Sequence, residues 1–183
     1  MPRPAPKSGE LRSLTEFLCF SIYSAGHAFA RVYKTLLDSF GLTYPQYLAM
    51  VALWEQDDQT VGGLGGRISL ESSTLTPLLK RMEAAGLVRR SRDAADERQV
   101  RVRLTEAGNA LRAKAKGVPA CVLEATGLGL ADIKRLNAQI SSLRDALNRH
   151  ANEPATAKRA MAPARKAKNP PATTETPTRR RSR

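Results

Sequence analysis

Two thiols and two imidazoles are the side chains of this sequence best suited to redox or metal chemistry. They belong to Cys19, Cys121, His27 and His150, which lie far apart in a chain of 183 residues. This spacing does not match the ligand pattern of a zinc site, and two cysteines are too few for a disulfide scaffold. We therefore expect no metal and no cofactor. The two thiols can still be oxidised.

Cys19 lies between Leu18 and Phe20 in an apolar segment. A lone cysteine in such a segment is most often an inert core residue. A redox sensor instead needs the thiolate, which a position in the first turns of a helix stabilises. Its oxidation gives a sulfenic acid that a second thiol can trap. Cys121 is the one other thiol of the chain, and the residues leave open whether it resolves Cys19 or is a bystander.

The composition favours a polyanionic partner and argues against a membrane protein. The formal net charge is +13, which suits DNA or an anionic surface. No apolar run reaches the roughly 18 residues that span a bilayer, and residues 1–15 lack the apolar core of a signal peptide. We expect a cytoplasmic protein without membrane contact. Residues 1–12 and the basic, Ala- and Pro-rich residues 151–183 are expected to be disordered, the latter solubilising the protein or weakly attracting DNA.

Helical periodicity surrounds Cys19. Apolar residues recur at helical intervals over residues 14–40, and a second helix is predicted over residues 44–54. Each is preceded by a pair with the spacing of a capping box, Ser13 with Glu16 and Thr43 with Gln46. The N-terminal part of the chain is therefore predicted to be a long helix followed by a shorter one.

A helix-turn-helix is predicted in the middle of the chain, over residues 61–68 and 72–85 around a turn at residues 69–71. Two segments with strand character follow, at residues 87–90 and 99–104, separated by a polar tip that makes a wing. The first of these helices contains four glycines that should soften it, at positions 62, 63, 65 and 66. A phosphate-cradling loop has little support there, since no P-loop pattern is present.

The C-terminal third is predicted to be helical, and the fold class is mainly α. Thr105 caps a helix to about residue 116, a break follows at residues 117–119, and a last helix starts near residue 130. That helix carries an apolar stripe of Ile133, Leu136, Ile140, Leu143 and Leu147. A second copy of the chain is the economical partner for such a stripe.

This pattern defines a winged helix-turn-helix domain over residues 13–150 with flanking N- and C-terminal dimerisation helices. We expect the DNA-binding lobe at residues 58–105 and the dimerisation helices at residues 13–40 and 106–150.

The candidate DNA contacts on the second helix of the motif are Ser72, Ser73, Thr74, Thr76, Lys80 and Arg81. Those on the wing are Arg90, Arg92 and Arg98, whose positive charge is partly offset by Asp93, Asp96 and Glu97. Hydroxyls can hydrogen-bond base edges and phosphates, while an arginine at the wing tip can enter the minor groove. A solvated polar face or a random charged loop would look similar; only the combination with the helix-turn-helix makes DNA the expected partner.

Two segments carry a family resemblance. Residues 60–108, with STLTPLLKRME and DERQV, resemble the MarR family of winged-helix regulators. Residues 18–55, with LCF and TYPQYL, resemble its organic-hydroperoxide-sensing OhrR branch, and the likeness covers roughly residues 14–148. It implies that Cys19 is the peroxidatic cysteine, that Tyr33 and Tyr44 of the partner subunit hydrogen-bond its sulfur, and that Arg98 enters the minor groove. One departure is that the family's resolving cysteine aligns with Glu124, three residues after Cys121.

The leading hypothesis is a homodimeric repressor that binds double-stranded DNA at an inverted-repeat operator. An organic hydroperoxide would oxidise Cys19 and release the operator. A regulator gated by a small phenolic or apolar ligand keeps the same fold. A non-specific architectural protein that binds DNA by charge through its tail is a third possibility. An enzyme is not expected, because no base or metal cluster accompanies the thiol.

Overall fold

The computed structural model describes residues 13–152. They form two compact units, residues 13–130 and residues 131–152. The predictions for residues 1–12 and for residues 153–183 lie outside the described part of the chain. Within the described part, no helix is both long and apolar enough to cross a bilayer.

Seven α-helices and three short strands make up the described residues. The helices are α1 Leu18–Leu37, α2 Tyr44–Glu55, α3 Val61–Ile68, α4 Ser72–Ala84, α5 Glu106–Lys114, α6 Val118–Thr126 and α7 Leu130–Asn152. The strands are β1 Gln59–Thr60, β2 Val88–Arg92 and β3 Val100–Leu104. The chain is therefore mainly helical with one small antiparallel sheet, and the predicted fold class is confirmed.

The predicted capping box at the start of the chain is wrong. The Ser13 side chain makes no cap hydrogen bond, and its hydroxyl lies 2.9 Å from that of Thr15. A 3-10 turn at Leu14–Glu16 is followed by Phe17 in an extended conformation, with φ −79° and ψ 116°. This extended residue interrupts the helical pattern, so α1 begins at Leu18 and Cys19 is its second residue. After α1, a 3-10 turn leads to Gly41, whose φ of 64° ends the helical run.

The second capping box is present as predicted. The Thr43 backbone N–H donates to Gln46 Oε1 at 2.8 Å, and Pro45 is accommodated in the first turn of α2. Near the C-terminal end of α2, Gln59 Nε2 and Arg67 Nη1 both donate to the Ala52 carbonyl. Helix α2 therefore has defined ends and packs against α1, α3, α4 and α5.

The helix-turn-helix lies where the sequence predicts it. The Thr60 hydroxyl accepts from the Gly63 N–H at 3.0 Å and caps α3. The segment with four glycines is thus a capped helix. Ser69 ends α3 in the left-handed conformation with φ 54°. At Gly65 an added Cβ would lie 2.7 Å from the Leu70 carbonyl oxygen, so the close approach of helix and turn requires a glycine there.

The wing contains a strand that the sequence did not reveal. The strand order is β1-β3-β2, and both pairs are antiparallel. In the pair of long strands Val88 lies opposite Leu104 and Arg92 opposite Val100. Strand β1 has two residues and pairs with residues 101 and 102 of β3. A strand this short has no alternation to detect.

One hydrophobic core joins α2, the helix-turn-helix and the sheet. Its fully buried large side chains are Leu37, Met50, Leu53, Leu64, Leu75, Leu79, Met82, Val88 and Val102. Thr105 caps α5 as predicted, accepting from the Gly108 N–H at 3.0 Å. The break between α5 and α6 is a 3-10 turn at Ala115–Gly117, two residues earlier than predicted, so that Val118 and Pro119 belong to the first turn of α6. Trp54 Nε1 donates to the Gly108 carbonyl at 2.9 Å, which fastens α2 to the start of α5.

The second unit consists of α7, which extends two residues beyond the predicted end of the domain at residue 150. Within the described residues of this helix no side chain is buried. Three residues of its apolar stripe are exposed, Leu136 at 41%, Ile140 at 45% and Leu147 at 60%, while Ile133 and Leu143 are partly buried.

Candidate functional site

Helix α4 has one buried apolar face and one exposed polar face. Leu75, Leu78, Leu79 and Met82 are buried in the core. The predicted DNA-contacting residues of this helix are all exposed, namely Ser72, Ser73, Thr74, Thr76, Lys80 and Arg81. Hydroxyls thus occupy the N-terminal half of the exposed face and two cations follow at its C-terminal half. Such a face can hydrogen-bond base edges and neutralise phosphates.

The wing tip is built by two aspartates. Asp93 accepts from the Ala95 N–H at 2.8 Å, and Asp96 accepts from the Arg98 N–H at 3.0 Å. Their carboxylates satisfy backbone groups of the tip. Within residues 13–152 the Arg98 guanidinium forms no hydrogen bond or ion pair, and Arg98 and Arg92 are exposed. The tip therefore presents a guanidinium that is free to meet a phosphate or a groove.

Arg90 has a different environment from the other wing arginines. Its Nε lies 2.8 Å from Glu83 Oε2, and its backbone N–H donates to Glu83 Oε1 at 2.9 Å. These hydrogen bonds, the side-chain one foremost, lower the pKa of Glu83. Arg90 therefore fastens β2 to α4, and the structure gives its guanidinium a partner that the sequence did not indicate. Its predicted contact with DNA stays a prediction.

A groove of about 410 Å³ runs between the start of α3, α4 and the wing. Gly62, Ser72, Thr76, Arg98 and Gln99 are among the residues that line it, and none of the lining residues is acidic. The two hydroxyls and the free guanidinium converge on one concave surface, which suits a nucleic-acid backbone.

Sequence reasoning missed a charged cluster at the base of the wing. Asp58, in the loop before β1, lies 2.6 Å from Arg101 Nε and 2.9 Å from Arg103 Nε. Hydrogen bonds from Arg103 and then Arg101 lower the pKa of Asp58 to about 2. The alternation of Arg101 and Arg103 on β3 indicated a shared face, but nothing in the sequence indicated the partner.

The thiols and the tyrosines lie in separate places. Cys19 in α1 and Cys121 in α6 are both exposed. Tyr33 and Tyr44 stack on each other, with ring centroids 4.2 Å apart and an interplanar angle of 26°. Burial, followed by the neighbouring Tyr44 and Tyr47, raises the pKa of Tyr33 to about 12, and burial also raises the pKa of Tyr44. Both phenols are thus protonated hydrogen-bond donors at neutral pH.

Cys19 does not meet this tyrosine pair within one chain. Cys19 and Tyr33 are on the same helix, and a rise of 1.5 Å per residue separates them by roughly 21 Å along its axis. The structure brings Tyr33 and Tyr44 together, and their expected hydrogen bonds to the Cys19 sulfur of a partner subunit stay a prediction. No group of three or more His, Cys, Asp or Glu side chains in the described residues is arranged to hold a metal.

A capped helix-turn-helix, a wing with a free tip arginine and a basic polar face define a winged-helix DNA-binding protein. The chain is 42% identical over 131 residues to the organic hydroperoxide resistance transcriptional regulator of Bacillus subtilis, covering 72% of this chain and 89% of that protein. The chain belongs to the SarA/Rot and MarR type of winged-helix regulators, and it is a DNA-binding transcriptional regulator.

Other relatives agree with this assignment. The profile of the family described as transcriptional regulator SarA/Rot matches residues 31–114. The HTH-type transcriptional regulator TtmR of Methylorubrum extorquens is 47% identical over 140 residues, or 76% of this chain and 72% of that protein. Reduced AbfR bound to DNA superposes with a TM-score of 0.63 at 34% identity, covering 73% of this chain and 93% of that one. AbfR comes from Staphylococcus epidermidis, and a disulfide form of AbfR superposes with a TM-score of 0.52 at 33% identity, covering 76% and 93%.

Proposed function

We propose that the protein is a homodimeric repressor that releases its operator when an organic hydroperoxide oxidises Cys19. The observation that carries this proposal is the separation of the exposed thiol at the start of α1 from a stacked pair of protonated phenols, Tyr33 of α1 and Tyr44 of α2. A two-fold related copy with antiparallel α1 helices would bring the Cys19 of one chain to Tyr33 and Tyr44 of the other.

The surface of α1 supports a dimer. Large apolar side chains near Cys19 are exposed in the single chain, with Leu18 at 60%, Ile22 at 42% and Phe29 at 41%. Helix α7 separately carries its own exposed apolar stripe. Contiguous apolar surface of this kind marks an interaction site. A second copy of the chain also supplies the two recognition helices that an inverted repeat requires.

The phenols support the oxidation chemistry at Cys19. Tyr33 and Tyr44 remain protonated at neutral pH, so their hydroxyls donate to a thiolate and stabilise its charge. The second position of α1 adds the partial positive charge of a helix N-terminus. Together these groups favour the nucleophilic form of the sulfur.

The hydroperoxide is the only oxidant that this reaction requires. The Cys19 thiolate attacks the distal peroxide oxygen, and an S–O bond forms as the O–O bond breaks. The leaving alkoxide takes up a proton and departs as an alcohol, so sulfur loses two electrons and the peroxide gains them. The resulting sulfenic acid condenses with a second thiol to give a disulfide and water.

The second thiol is either Cys121 or a small cellular thiol. Cys121 is exposed on α6, whose buried residues are Val118 and Val122, and α6 packs against α1. Glu124 is also exposed and lies about one helical turn further on. Cys121 therefore lies on the same helix as Glu124, the residue that aligns with the family's resolving cysteine, and can act as the resolving thiol from there. We favour Cys121 in this role.

The states of AbfR support a redox switch. That protein is described bound to DNA in its reduced form and, separately, with a disulfide formed. The Bacillus subtilis relative is named for resistance to organic hydroperoxide. Gating by a small phenolic ligand is not favoured, because the relatives described above whose names specify a signal refer to peroxide or to thiol oxidation.

A gel-shift titration of the full chain against its own upstream DNA tests the proposal. We expect wild type to release DNA on treatment with cumene hydroperoxide and Cys19→Ser to stay bound. Release by Cys19→Ser would contradict the proposal. Tyr33→Phe and Tyr44→Phe should slow the oxidation, whereas Tyr47→Phe is a matched control from the same aromatic cluster and should leave it unchanged.

A non-reducing gel of the same samples tests the fate of the sulfur. We expect an intermolecular disulfide in wild type that is absent from Cys19→Ser and from Cys121→Ser. A mass increase equal to a small thiol on Cys19, with no crosslinked dimer, would assign the second step to that thiol and reject Cys121 as the resolving residue.

A further inference from the structure

Arg101 contacts two carboxylates from different parts of the fold. It lies in the central strand β3, with Nε 2.6 Å from Asp58 Oδ1 and Nη1 2.9 Å from Asp93 Oδ2. Its Nη2 also donates to the Asp58 backbone carbonyl. Asp58 belongs to the loop that joins α2 to β1, and Asp93 follows β2 at the start of the wing tip. Arg101 therefore ties the wing tip to the body of the domain.

The tip itself is held by the carboxylate that Arg101 binds. Asp93 accepts from the backbone N–H groups of Ala95 and Asp96, at 2.8 and 3.3 Å. Asp96 in turn accepts from the Arg98 N–H at 3.0 Å and from Gln99 Nε2 at 3.0 Å. An unbroken series of hydrogen bonds thus runs from Arg101 through Asp93 and Asp96 to the backbone of Arg98.

Asp58 is set up to anchor this series. Its φ of 56° lies in the left-handed region, which non-glycine residues seldom adopt. Its backbone carbonyl and one carboxylate oxygen both accept from Arg101. The neighbouring Asp57 accepts from the Leu104 N–H at 2.9 Å and fixes the same loop to the end of β3. The anchor is therefore fastened to β3 at two points.

The charges of this cluster are matched internally. The Arg101 guanidinium pairs with two carboxylates, whereas the Arg98 guanidinium forms no hydrogen bond or ion pair within residues 13–152. A cation that is already compensated contributes little to counterion release on DNA, and a free cation contributes fully. Arg101 therefore has a part in holding the wing and little part as a direct phosphate ligand.

We propose that Arg101 and Asp58 are positioning residues for DNA binding, which hold the wing tip in the orientation that presents Arg98 to the DNA. The inference rests on the proposed contact between Arg98 and DNA. It assigns a function to a pair of residues outside both the recognition helix and the exposed tip.

A double-mutant cycle on the full-length protein tests this inference. Operator affinity is measured for wild type, Arg98→Ala, Arg101→Leu and the double variant at one salt concentration. If Arg101 acts through Arg98, each single variant weakens binding roughly fivefold or more, and the double variant matches Arg98→Ala within about twofold. Arg103→Leu is the matched control, because it removes the same charge from the same strand but contacts only Asp58 of the cluster; it should weaken binding less than about twofold.

Multiplicative effects in the cycle, or an Arg101→Leu variant with wild-type affinity, would overturn the inference. Arg101→Lys covers the case in which Arg101→Leu fails to fold, since it keeps the charge but cannot bridge two carboxylates with one fork. The inference is supported if Arg101→Lys weakens operator binding in the wild-type background but causes no further loss in the Arg98→Ala background. It is rejected if Arg101→Lys binds the operator with wild-type affinity. If Arg98→Ala alone has no effect, the proposed wing contact fails instead.

Discussion

Two adjacent glycines of α3 should respond in opposite directions to replacement by alanine. At Gly66 an added Cβ has nothing within 4 Å. At Gly65 the added Cβ would lie 2.7 Å from the Leu70 carbonyl oxygen and 3.3 Å from Leu75 Cδ2. Both positions are inside the same helix, so alanine brings the same gain in helix propensity at each. Only the surroundings differ.

The expected free energies follow from these distances. Gly66→Ala should raise the free energy of unfolding by about 0.5–1 kcal/mol, the usual advantage of alanine over glycine inside a helix. Gly65→Ala gains the same amount but must move α3 away from a backbone oxygen. Overpacking of this kind costs about 1–3 kcal/mol, and a backbone atom cannot rotate away. The net result at Gly65 should be a loss of about 1–2 kcal/mol, taking the upper part of that range.

Thermal and urea unfolding at one protein concentration measure both effects. For a chain of this size, 1 kcal/mol moves Tm by about 2–4 °C. Gly66→Ala should therefore raise Tm and Gly65→Ala should lower it. Equal shifts of the same sign would refute the claim that the α3–turn contact, rather than helix propensity, determines the response. Gly65→Ala should also weaken operator binding, because the displaced turn leads directly into α4.

Further predictions concern single groups. The pKa of Tyr33 is raised to about 12 from about 10 in an unfolded chain, so its contribution to stability is present below pH 10 and is lost as the pH rises to 12. Phenolate absorbance and Tm should change together in that window. Complete ionisation of Tyr33 near pH 10 with the fold intact would contradict this prediction. Lys80→Gln should weaken operator and random DNA alike and reduce the salt slope of binding by about 1; an effect on operator alone would instead indicate a base contact. Trp54→Phe should lower the free energy of unfolding by about 1 kcal/mol in urea unfolding, since it leaves the Gly108 carbonyl without its donor; an unchanged midpoint would show that water replaces that donor.

The DNA-binding lobe was largely predictable because its signals are local. Two amphipathic segments joined by a short polar turn, followed by two strand-like segments around a polar tip, specify helix, turn and wing without knowledge of distant residues. The failures have local causes too. The capping-box pattern at Ser13 is present in the sequence, but the extended backbone at Phe17 prevents a helix from following it. Strand β1 is only two residues long and forms through pairing with β3.

The features that escaped prediction depend on pairs of residues that only the folded chain brings together. Asp58 and Arg101 are more than forty residues apart, and aspartates in loops are common enough that neither position stands out. Arg90 was read as a cation for DNA, yet its nearest partner is Glu83 in the preceding helix. The thiol site is a different case: its residues were expected from the family resemblance, but its proposed components belong to two copies of the chain, and a single chain contains only the two halves.

If Cys19 of a second copy contacts the tyrosine pair as proposed, a change at the thiol has a packed route to the helix-turn-helix and the wing. The ring of Tyr33 stacks on Tyr44 and lies 5.8 Å from that of Tyr47, which is 6.2 Å from the ring of Trp54. Trp54 in turn is hydrogen-bonded to Gly108 at the start of α5, where an added Cβ would lie only 2.1 Å from the Leu87 carbonyl oxygen beside β2. A close-packed series of this kind has little free volume in which to absorb a displaced ring. We therefore expect a shift of the tyrosine pair to move α5 and the wing together, and the rigid attachment of the wing through Arg101 would carry that movement to its tip.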